Sequence, residues 1–374
     1  MTQKKLGFGF MRLPLMSLED PASVNIPVLK KMVDTFLARG FTYFDTAYMY
    51  HDFKSEMFLR EVLVKRHPRD SFTVASKMPT MLLKSQEQVA EIFEEQLEKC
   101  GVDYFDYYLL HNLGINNYAT AEKYGCFEFI QEKKAEGKIK HIGFSYHDSA
   151  DLLEDILSAH PEIEFVQLQL NYLDWESESI QSRRCYEVAT NHGVPVIVME
   201  PVKGGTLAEV PKAAETLLKA QNPHGSMASW ALRFAASLDN VMMVLSGMSD
   251  MDQLLDNISY MENFLSLSEE EEATLWKAVD MINASIAIPC TACGYCVEGC
   301  PQKIAIPKYF SLYNAEIQSD NKGFSTHSVY FNNLIKDSGK PSDCIECGQC
   351  EEACPQHLSI MEDLKQVAKT FEAQ

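Results

Sequence analysis

The stretch Val194-Pro195-Val196-Ile197-Val198-Met199 decides the fold, because it is apolar at every position. A strand that faces water on one side alternates apolar and polar residues, whereas a strand covered on both faces reads as a continuous apolar run. The stretch therefore predicts a buried strand of a parallel sheet with helices packed on it.

Similar runs recur along the chain and alternate with helical patterns. Apolar residues repeat at helical spacing from Leu29 to Leu37 and stop at Gly40, a suitable C-cap. The predicted strands are Leu6–Leu13, Phe41–Thr46, Phe72–Lys77, Tyr104–His111, Ile139–Tyr146, Phe165–Asn171, Pro195–Pro201 and Val241–Ser246. Further predicted helices are Glu87–Cys100, Glu122–Glu136, Asp151–Ala159, Ile180–His192, Met227–Leu238 and Asp252–Phe264.

Eight strand–helix pairs predict an α/β protein with a closed (β/α)₈ TIM barrel, which takes roughly 250 residues. The competing doubly wound open sheet would carry a G-x-G-x-x-G turn after its first strand, and this sequence has none there. Composition changes at Ile288-Pro289-Cys290. We therefore expect two domains, a barrel over residues 1–287 and a smaller, mainly helical domain over residues 288–374.

Composition narrows the classes of function. The 374 residues carry a formal net charge of −20 with no basic stripe, which disfavours nucleic acid as a partner. No apolar run reaches the roughly 18 residues of a membrane helix, and the first residues lack the apolar core of a secretory signal. We expect a cytoplasmic protein that does not enter a membrane.

Most of the 11 cysteines are concentrated near the end of the chain. They form two copies of the pattern C-x₂-C-x₂-C-x₃-C-P, which is the spacing of bacterial-type ferredoxins. The copies comprise Cys290, Cys293, Cys296 and Cys300, followed by Cys344, Cys347, Cys350 and Cys354. In a reducing compartment such clustering indicates metal ligands rather than disulfides.

The spacing predicts two 4Fe–4S clusters with crossed ligands, because the fourth cysteine of each copy serves the other cluster. One cluster would be held by Cys290, Cys293, Cys296 and Cys354, and the other by Cys344, Cys347, Cys350 and Cys300. The alternative is a pair of structural zinc sites, but zinc usually takes separated C-x₂-C pairs. Residues 288–358 resemble the two-cluster ferredoxin family, with a longer segment between Cys300 and Cys344 that resembles helical ferredoxin domains appended to enzymes.

Polar residues cluster at the carboxyl ends of predicted strands two to four, where barrels of this kind place their chemistry. They are Asp45, Tyr50, Lys77 and His111. A lysine ammonium beside a phenol stabilises phenolate, and an aspartate would hold that ammonium in place. Taken singly, these residues also suit a helix cap, a strand-end lysine and a core histidine.

Together the four residues resemble the tetrad of the aldo-keto reductases. The resemblance covers residues 6–262 and is strongest at Gly40-Phe41-Thr42-Tyr43-Phe44-Asp45-Thr46-Ala47 with the step to Tyr50. It implies hydride transfer between nicotinamide and a small carbonyl substrate, with Tyr50 as general acid or base and His111 orienting the carbonyl. The chain is thus expected to be an iron–sulfur oxidoreductase.

The same resemblance implies where a nicotinamide cofactor, NAD(P)H, would bind. Ser145 and Gln167 would hold the carboxamide, Met199 would stand in place of the usual stacking aromatic, and Gly247, Gln253 and Asn257 would lie beside the adenosine phosphates. No lysine or arginine occurs from Ser246 to Asn257, so NADP-specific binding through the family's usual contacts is disfavoured. Lys203-Gly204-Gly205 also suits a phosphate-binding loop or an ordinary turn.

Three functional readings remain open from the sequence. A hydride carries two electrons, whereas each cluster transfers one at a time. The barrel could therefore use nicotinamide beside structural or regulatory clusters. It could instead hold a flavin that exchanges electrons, through the clusters, with an external ferredoxin or another electron carrier. In the third reading the tetrad is vestigial and the protein is an electron-carrier module.

Overall fold

The first part of the chain forms a closed barrel of eight parallel strands in the order β1 to β8. The computed structural model describes residues 4–17, 19–284, 287–288, 290, 292, 294–318, 325–354 and 357–372. The strands are β1 (Leu6–Gly9), β2 (Tyr43–Asp45), β3 (Thr73–Met78), β4 (Phe105–Leu113), β5 (Ile139–Tyr146), β6 (Phe165–Gln169), β7 (Val196–Met199) and β8 (Val241–Ser246). The predicted (β/α)₈ TIM barrel is confirmed.

Helices surround the strands, together with one short left-handed turn, Tyr50–Phe53, at the rim. They are α1 (Ile26–Ala38), α2 (Tyr50–Phe53), α3 (Ser55–Leu59), α4 (Glu87–Cys100), α5 (Ile115–Lys123), α6 (Cys126–Ala135), α7 (Ala150–Ala159), α8 (Ser182–Asn191), α9 (Lys212–Gln221), α10 (Met227–Ser237), α11 (Met251–Met261) and α12 (Glu269–Asn283). Within the described residues, no helix is long and apolar enough to cross a membrane.

Several helices differ from the sequence prediction, among them the short α2 and α3, which were not predicted. The single helix predicted over Glu122–Glu136 is wrong, because the chain turns at Gly125, whose φ is 65°, and separates α5 from α6. Helix α9 was not predicted. It buries only Ala214 and Leu218, too few residues to make a periodic apolar pattern.

The strand β7 shows why its sequence is apolar throughout. Ile197 joins the cluster that fills the barrel interior, with Tyr43, Leu109, Phe165 and Met243 from other strands. Val196 and Val198 instead belong to the core between strands and helices. Both faces of the strand are therefore buried, as expected for a parallel barrel.

The end of the chain forms a second, mainly helical unit with its own hydrophobic core. Its helices are α13 (Tyr295–Glu298), α14 (Ile306–Ile317), α15 (Thr326–Asp337), α16 (Gln349–Glu352) and α17 (Ile360–Phe371). Ile288 is tied to this unit, because its backbone N–H donates to Asn314 Oδ1 at 2.9 Å and Asn314 Nδ2 donates back to the Ile288 carbonyl at 2.7 Å.

The two cysteine copies have the same backbone conformation. Gly294 and Gly348 precede α13 and α16 with φ of 81° and 78°, a conformation that glycine adopts without strain. Non-glycine residues with positive φ also recur at equivalent places, as the pairs Ala292 and Glu346, and Lys303 and His357. The sequence repeat is thus a structural repeat.

The helical unit packs on the carboxyl-terminal rim of the barrel. Ser179 Oγ, in the loop after β6, donates to Ser311 Oγ of α14 at 2.9 Å. Asn333 Nδ2 of α15 donates to the carbonyl oxygen of His147, just after β5, at 2.9 Å. The second unit therefore covers part of the rim at which strand-end residues gather.

Candidate functional site

A buried ion pair joins the ends of β2 and β3. Lys77 Nζ donates to Asp45 Oδ1 at 2.5 Å and to the carbonyl oxygen of Thr46 at 2.8 Å. Both side chains are almost fully buried. A buried charge without a partner is costly, so each residue keeps the other charged and in a fixed position.

Tyr50 lies against this pair, with Lys77 Nζ 5.1 Å from the centre of its ring. Burial raises the pKa of Tyr50, and the Lys77 ammonium acts in the opposite direction without outweighing burial. Lys77 thus favours phenolate, as the sequence analysis expects, but burial outweighs it and the net pKa of Tyr50 is raised. Tyr50 keeps its proton at neutral pH, and Lys77 stands ready to stabilise a phenolate when the proton leaves.

His111 completes the group from β4. Its ring meets that of Tyr50 edge to face, with 6.0 Å between centroids and 82° between planes. Burial lowers the pKa of His111 well below its ordinary value, and Lys77 acts in the same direction. The imidazole is therefore neutral, and its Nδ1 has no hydrogen-bond partner among the described residues.

Burial and the attraction between the two charges act in opposite directions on the pKa values of the ion pair. It raises the pKa of Asp45, and the facing Lys77 ammonium and the Gln167 amide offset only part of that effect. Burial alone would lower the pKa of Lys77, but the Asp45 carboxylate outweighs it and the pKa stays above its ordinary value. Lys77 is therefore a permanent cation at neutral pH.

The rim carries several residues with left-handed backbone. They are His51, Asp52 and Phe53 after Tyr50, Asn112 after His111, and Glu200 after β7. For non-glycine residues this conformation costs of order 1 kcal/mol or more, and such residues concentrate at functional sites. Their position beside Tyr50 and His111 strengthens the assignment of this rim as the site.

A second buried network lies behind Lys77. Glu56 Oε1 accepts hydrogen bonds from Ser76 Oγ at 2.6 Å and from Gln96 Nε2 at 2.7 Å. Gln96 Nε2 also lies 3.0 Å from the carbonyl oxygen of Lys77, and Tyr108 donates to Gln96 Oε1. Burial raises the pKa of Glu56 to about 7. This network fixes the backbone from which Lys77 projects.

The residues expected to hold a nicotinamide carboxamide lie side by side on neighbouring strands. Ser145 of β5 pairs in register with Gln167 of β6. Gln167 Oε1 is buried and has no hydrogen-bond partner in the described part of the chain, so it is free to accept from a carboxamide. Ser145 Oγ already accepts from the backbone N–H of Asn112 at 2.8 Å, and Met199 is the last residue of β7.

The residues expected beside the adenosine phosphates are partly engaged. Asn257 Nδ2 donates to Ser246 Oγ at 2.9 Å, and Asn257 Oδ1 accepts from Tyr260, so both ends of this amide are used within the protein. Gln253 Oε1 accepts from the backbone N–H of Ser249 at 2.8 Å. These contacts hold the loop after β8 and leave Asn257 little capacity for a ligand.

The positions of Arg12 and Lys203 bear on the two places where the sequence analysis considered phosphate binding. A Cβ added to Gly247 would lie 2.8 Å from the Cβ of Arg12, so the aliphatic part of an arginine from the loop after β1 packs against the segment that has no cation of its own. Lys203 Nζ donates to Asp174 Oδ1 at 2.5 Å, and both side chains are buried. Lys203 therefore belongs to an internal ion pair and is not presented to a phosphate.

Four cysteines of the helical unit line one cavity. They are Cys300 from the first copy and Cys344, Cys347 and Cys350 from the second. Apolar side chains including Ile304, Ile306 and Leu364 complete the wall. A cavity with four sulfur donors and an apolar lining fits a 4Fe–4S cluster, and the set combines both copies as the crossed assignment requires.

The other predicted set is described only in part. Cys293 lies outside the described residues. Cys296 and Cys354, from different copies, are both buried in the core of the helical unit, and Cys290 packs against that core. The three scattered cysteines, Cys100, Cys126 and Cys185, are buried within the barrel part.

Sequence reasoning missed further residues at the rim. His147 follows Tyr146 at the end of β5, and the Glu200 carboxylate lies close enough to raise the pKa of Tyr50. Both stand at strand ends, so the rule that located Lys77 would also have located them. Tyr330, which packs against His147 from α15, carries no comparable signal because it lies in a different unit.

Two family models match the chain. The description "Aldo/keto reductase family" matches residues 5–280, and "4Fe-4S dicluster domain" matches residues 289–359. Similar proteins include the NADH-specific methylglyoxal reductase of Escherichia coli, 28% identical over 197 residues, which are 47% of this chain and 57% of that enzyme. The chain thus spans little more than half the length of that relative.

Two further comparisons extend over more of the barrel. The L-galactose dehydrogenase of Arabidopsis thaliana is 25% identical over 285 residues, covering 71% of this chain and 86% of that enzyme. The solved structure of an aldo-keto reductase from Bacillus halodurans in its holo form superposes with a TM-score of 0.59 at 24% identity. It covers 73% of this chain and 91% of the other, and shows the shared fold.

Proposed function

Because the chain belongs to the aldo/keto reductase family and carries a 4Fe-4S dicluster domain, we propose that redox chemistry on a carbonyl group takes place at the barrel rim. On this proposal the oxidoreductase reduces a carbonyl substrate or oxidises the corresponding alcohol. The observation that carries the proposal is the Lys77–Asp45 pair, buried beside the phenol of Tyr50. A phenol with a buried ammonium beside it is suited to general acid–base catalysis.

In the direction of reduction, Tyr50 donates its proton to the carbonyl oxygen while the carbonyl carbon receives a hydride. Because Tyr50 is protonated at neutral pH, its proton is available for this step before substrate binds. Lys77 then stabilises the phenolate, and Asp45 keeps Lys77 in place. His111, neutral and with an unpartnered nitrogen, orients the carbonyl by hydrogen bonding.

A bound nicotinamide would supply the hydride. The unpartnered Gln167 Oε1 and the neighbouring Ser145 suit its carboxamide, and the name of the methylglyoxal reductase that resembles this chain specifies NADH. Met199, Gly247 and Gln253 remain candidates for the rest of the cofactor. Asn257 is a weaker candidate, because its amide is used within the protein. We propose NAD(H) as the cofactor, and no rim residue that the structure describes favours a flavin.

The dicluster domain would hold two 4Fe–4S clusters, which supply one-electron transfer. The proposed ligands are Cys344, Cys347, Cys350 and Cys300 for one cluster and Cys290, Cys293, Cys296 and Cys354 for the other. The shared cavity of the first set supports the crossed arrangement. Cys347 is exposed, so an external electron carrier could approach this cluster closely.

The deciding experiment replaces the phenol. Tyr50→Phe removes the proton donor and keeps the ring, so we expect carbonyl reduction with NADH to fall by roughly 10²- to 10⁴-fold, the range of general acid catalysis. Iron content should remain at about eight atoms per chain, as two full clusters require. Tyr48→Phe, at an exposed hydrogen bond to Glu95, is the matched control. Turnover of Tyr50→Phe close to that of the unmodified protein would contradict the proposal.

A further inference from the structure

A second buried histidine stands on the rim beside His111. His147 comes directly after β5, two residues beyond Ser145, and its backbone N–H donates to the carbonyl oxygen of Leu113 of β4 at 3.0 Å. It is 9% exposed, and its Nδ1 has no hydrogen-bond partner within the described ranges. Burial lowers the pKa of His147 to about 3, so the ring is neutral. His147 is also close enough to His111 to lower its pKa.

The dicluster domain holds His147 in this position. Asn333 Nδ2 donates to the His147 carbonyl oxygen at 2.9 Å, and the Tyr330 ring meets the imidazole edge to face at 5.5 Å between centroids. Both residues belong to α15. Asn333 also fills the space beside Gly114 in the loop after β4, where an added Cβ would lie 2.6 Å from its Nδ2. The barrel alone would leave this part of the rim uncovered.

Neutral imidazoles that lack partners suit neutral oxygen atoms. A neutral histidine donates one hydrogen bond and accepts another, and leaving a buried nitrogen unmatched costs about 1–3 kcal/mol. A ligand hydroxyl or carbonyl oxygen would remove that cost.

An anionic group fits this part of the rim less well. Lys77 and Lys203 are neutralised by Asp45 and Asp174, and the Glu200 carboxylate adds negative charge near Tyr50. Neither lysine therefore has a free charge to offer a carboxylate or phosphate, and Arg12 stands after β1, across the closed barrel from β5.

We propose that His147 is a second substrate-binding residue, and that the substrate is a neutral carbonyl compound with a hydroxyl or carbonyl oxygen on the adjacent carbon. The reacting oxygen binds at Tyr50 and His111, and the adjacent oxygen binds at His147. This rests on the carbonyl chemistry proposed above. It also makes α15 of the dicluster domain part of the wall that selects the substrate.

The test uses two ketones that differ only at the adjacent position. 2-Hydroxyacetophenone carries a hydroxyl there, and propiophenone carries a methyl group of similar size. The measured quantity is the ratio of kcat/KM for the hydroxyketone to kcat/KM for the plain ketone. In His147→Phe we expect this ratio to fall roughly tenfold, the effect of losing one hydrogen bond in a dry site. His147→Gln, which retains a donor and an acceptor, should recover part of the ratio.

The role of the dicluster domain is tested on α15. Asn333→Ala should lower the same ratio, because it releases the His147 backbone, while leaving the iron content unchanged. Asn332→Ala, at the exposed neighbouring position, is the matched control and should leave the ratio unchanged. Equal losses with both ketones in His147→Phe would indicate a purely structural role, and an unchanged ratio would exclude the contact.

Binding without turnover separates this inference from the proposed function. Equilibrium dialysis of the anaerobically purified full-length protein should show tighter binding of 2-hydroxyacetophenone than of propiophenone, and His147→Phe should abolish the difference. If neither ketone is turned over but the difference in binding remains, the proposed activity fails and the His147 site stands. If the unmodified protein binds both equally, the His147 site is wrong whatever the activity.

Discussion

The buried carboxyl group of Glu56 should make the stability of this protein depend on pH in a defined direction. Its ordinary pKa is 4.5, and burial raises it to about 7 in the folded state. Between these values the folded protein binds a proton that the unfolded chain has released. The free energy of unfolding therefore falls as pH rises through this window.

The magnitude follows from the two pKa values. Each pKa unit corresponds to about 1.4 kcal/mol, so the full loss is roughly 3 kcal/mol, of which about 2.5 kcal/mol falls between pH 5 and pH 8. Glu56→Gln cannot titrate and still accepts from Ser76 and Gln96. The variant should therefore gain about 2.5 kcal/mol of stability relative to the unmodified protein when the pH is raised from 5 to 8.

Urea unfolding followed by intrinsic fluorescence, under anaerobic conditions at both pH values, measures this difference. Glu94→Gln, at an exposed position of the helix α4 that also carries Gln96, is the matched control and should show no pH-dependent gain. A gain for Glu56→Gln that is the same at pH 5 and pH 8 would refute the reasoning. It would mean that Glu56 acts through hydrogen-bond geometry and not through its proton.

Two further predictions concern the ion pair and the clusters. Lys77→Met should lower kcat by 10²-fold or more and destabilise the protein by about 3–5 kcal/mol, because it leaves Asp45 buried and unpaired. Steady-state kinetics and urea unfolding measure the two effects, and a fully stable variant would contradict the prediction. Cys300→Ala should lower the iron content, measured by iron analysis and electron paramagnetic resonance. Adding Cys344→Ala should cause little further loss because both cysteines serve one cluster, whereas adding Cys290→Ala should remove the second cluster. Additive losses with Cys344→Ala would overturn the crossed assignment.

The barrel could be predicted because its signal is local. A strand such as Val196–Met199 is apolar on both faces whatever its neighbours are, and most of the longer helices repeat apolar residues at helical spacing. Lys77 and Asp45 were located by their position at the carboxyl ends of adjoining predicted strands, and the structure brings them into contact. The cysteine copies are equally local, since their spacing alone indicates the type of metal site.

What the sequence could not provide depends on contacts between distant segments. The net pKa of Tyr50 is set by how far distant segments shield its phenol from water, which no local pattern reveals. The amide of Asn257 is used up by Ser246 and Tyr260, so its resemblance to a cofactor contact did not reveal its internal role. The contact of Tyr330 with His147 joins two units of the chain and has no sequence signature.

The covering of the barrel rim by α15 has a consequence for oxygen sensitivity. Iron–sulfur clusters contribute folding free energy to small domains that bind them, so oxidative loss of iron would loosen the unit that carries Asn333 and Tyr330. The wall beside His147 would loosen with it, although no tetrad residue had been touched. Oxidative damage at the clusters would thus change which substrates bind at the rim. A chain truncated after α12 would lack the same wall, so its substrate preference would differ from that of the full-length protein.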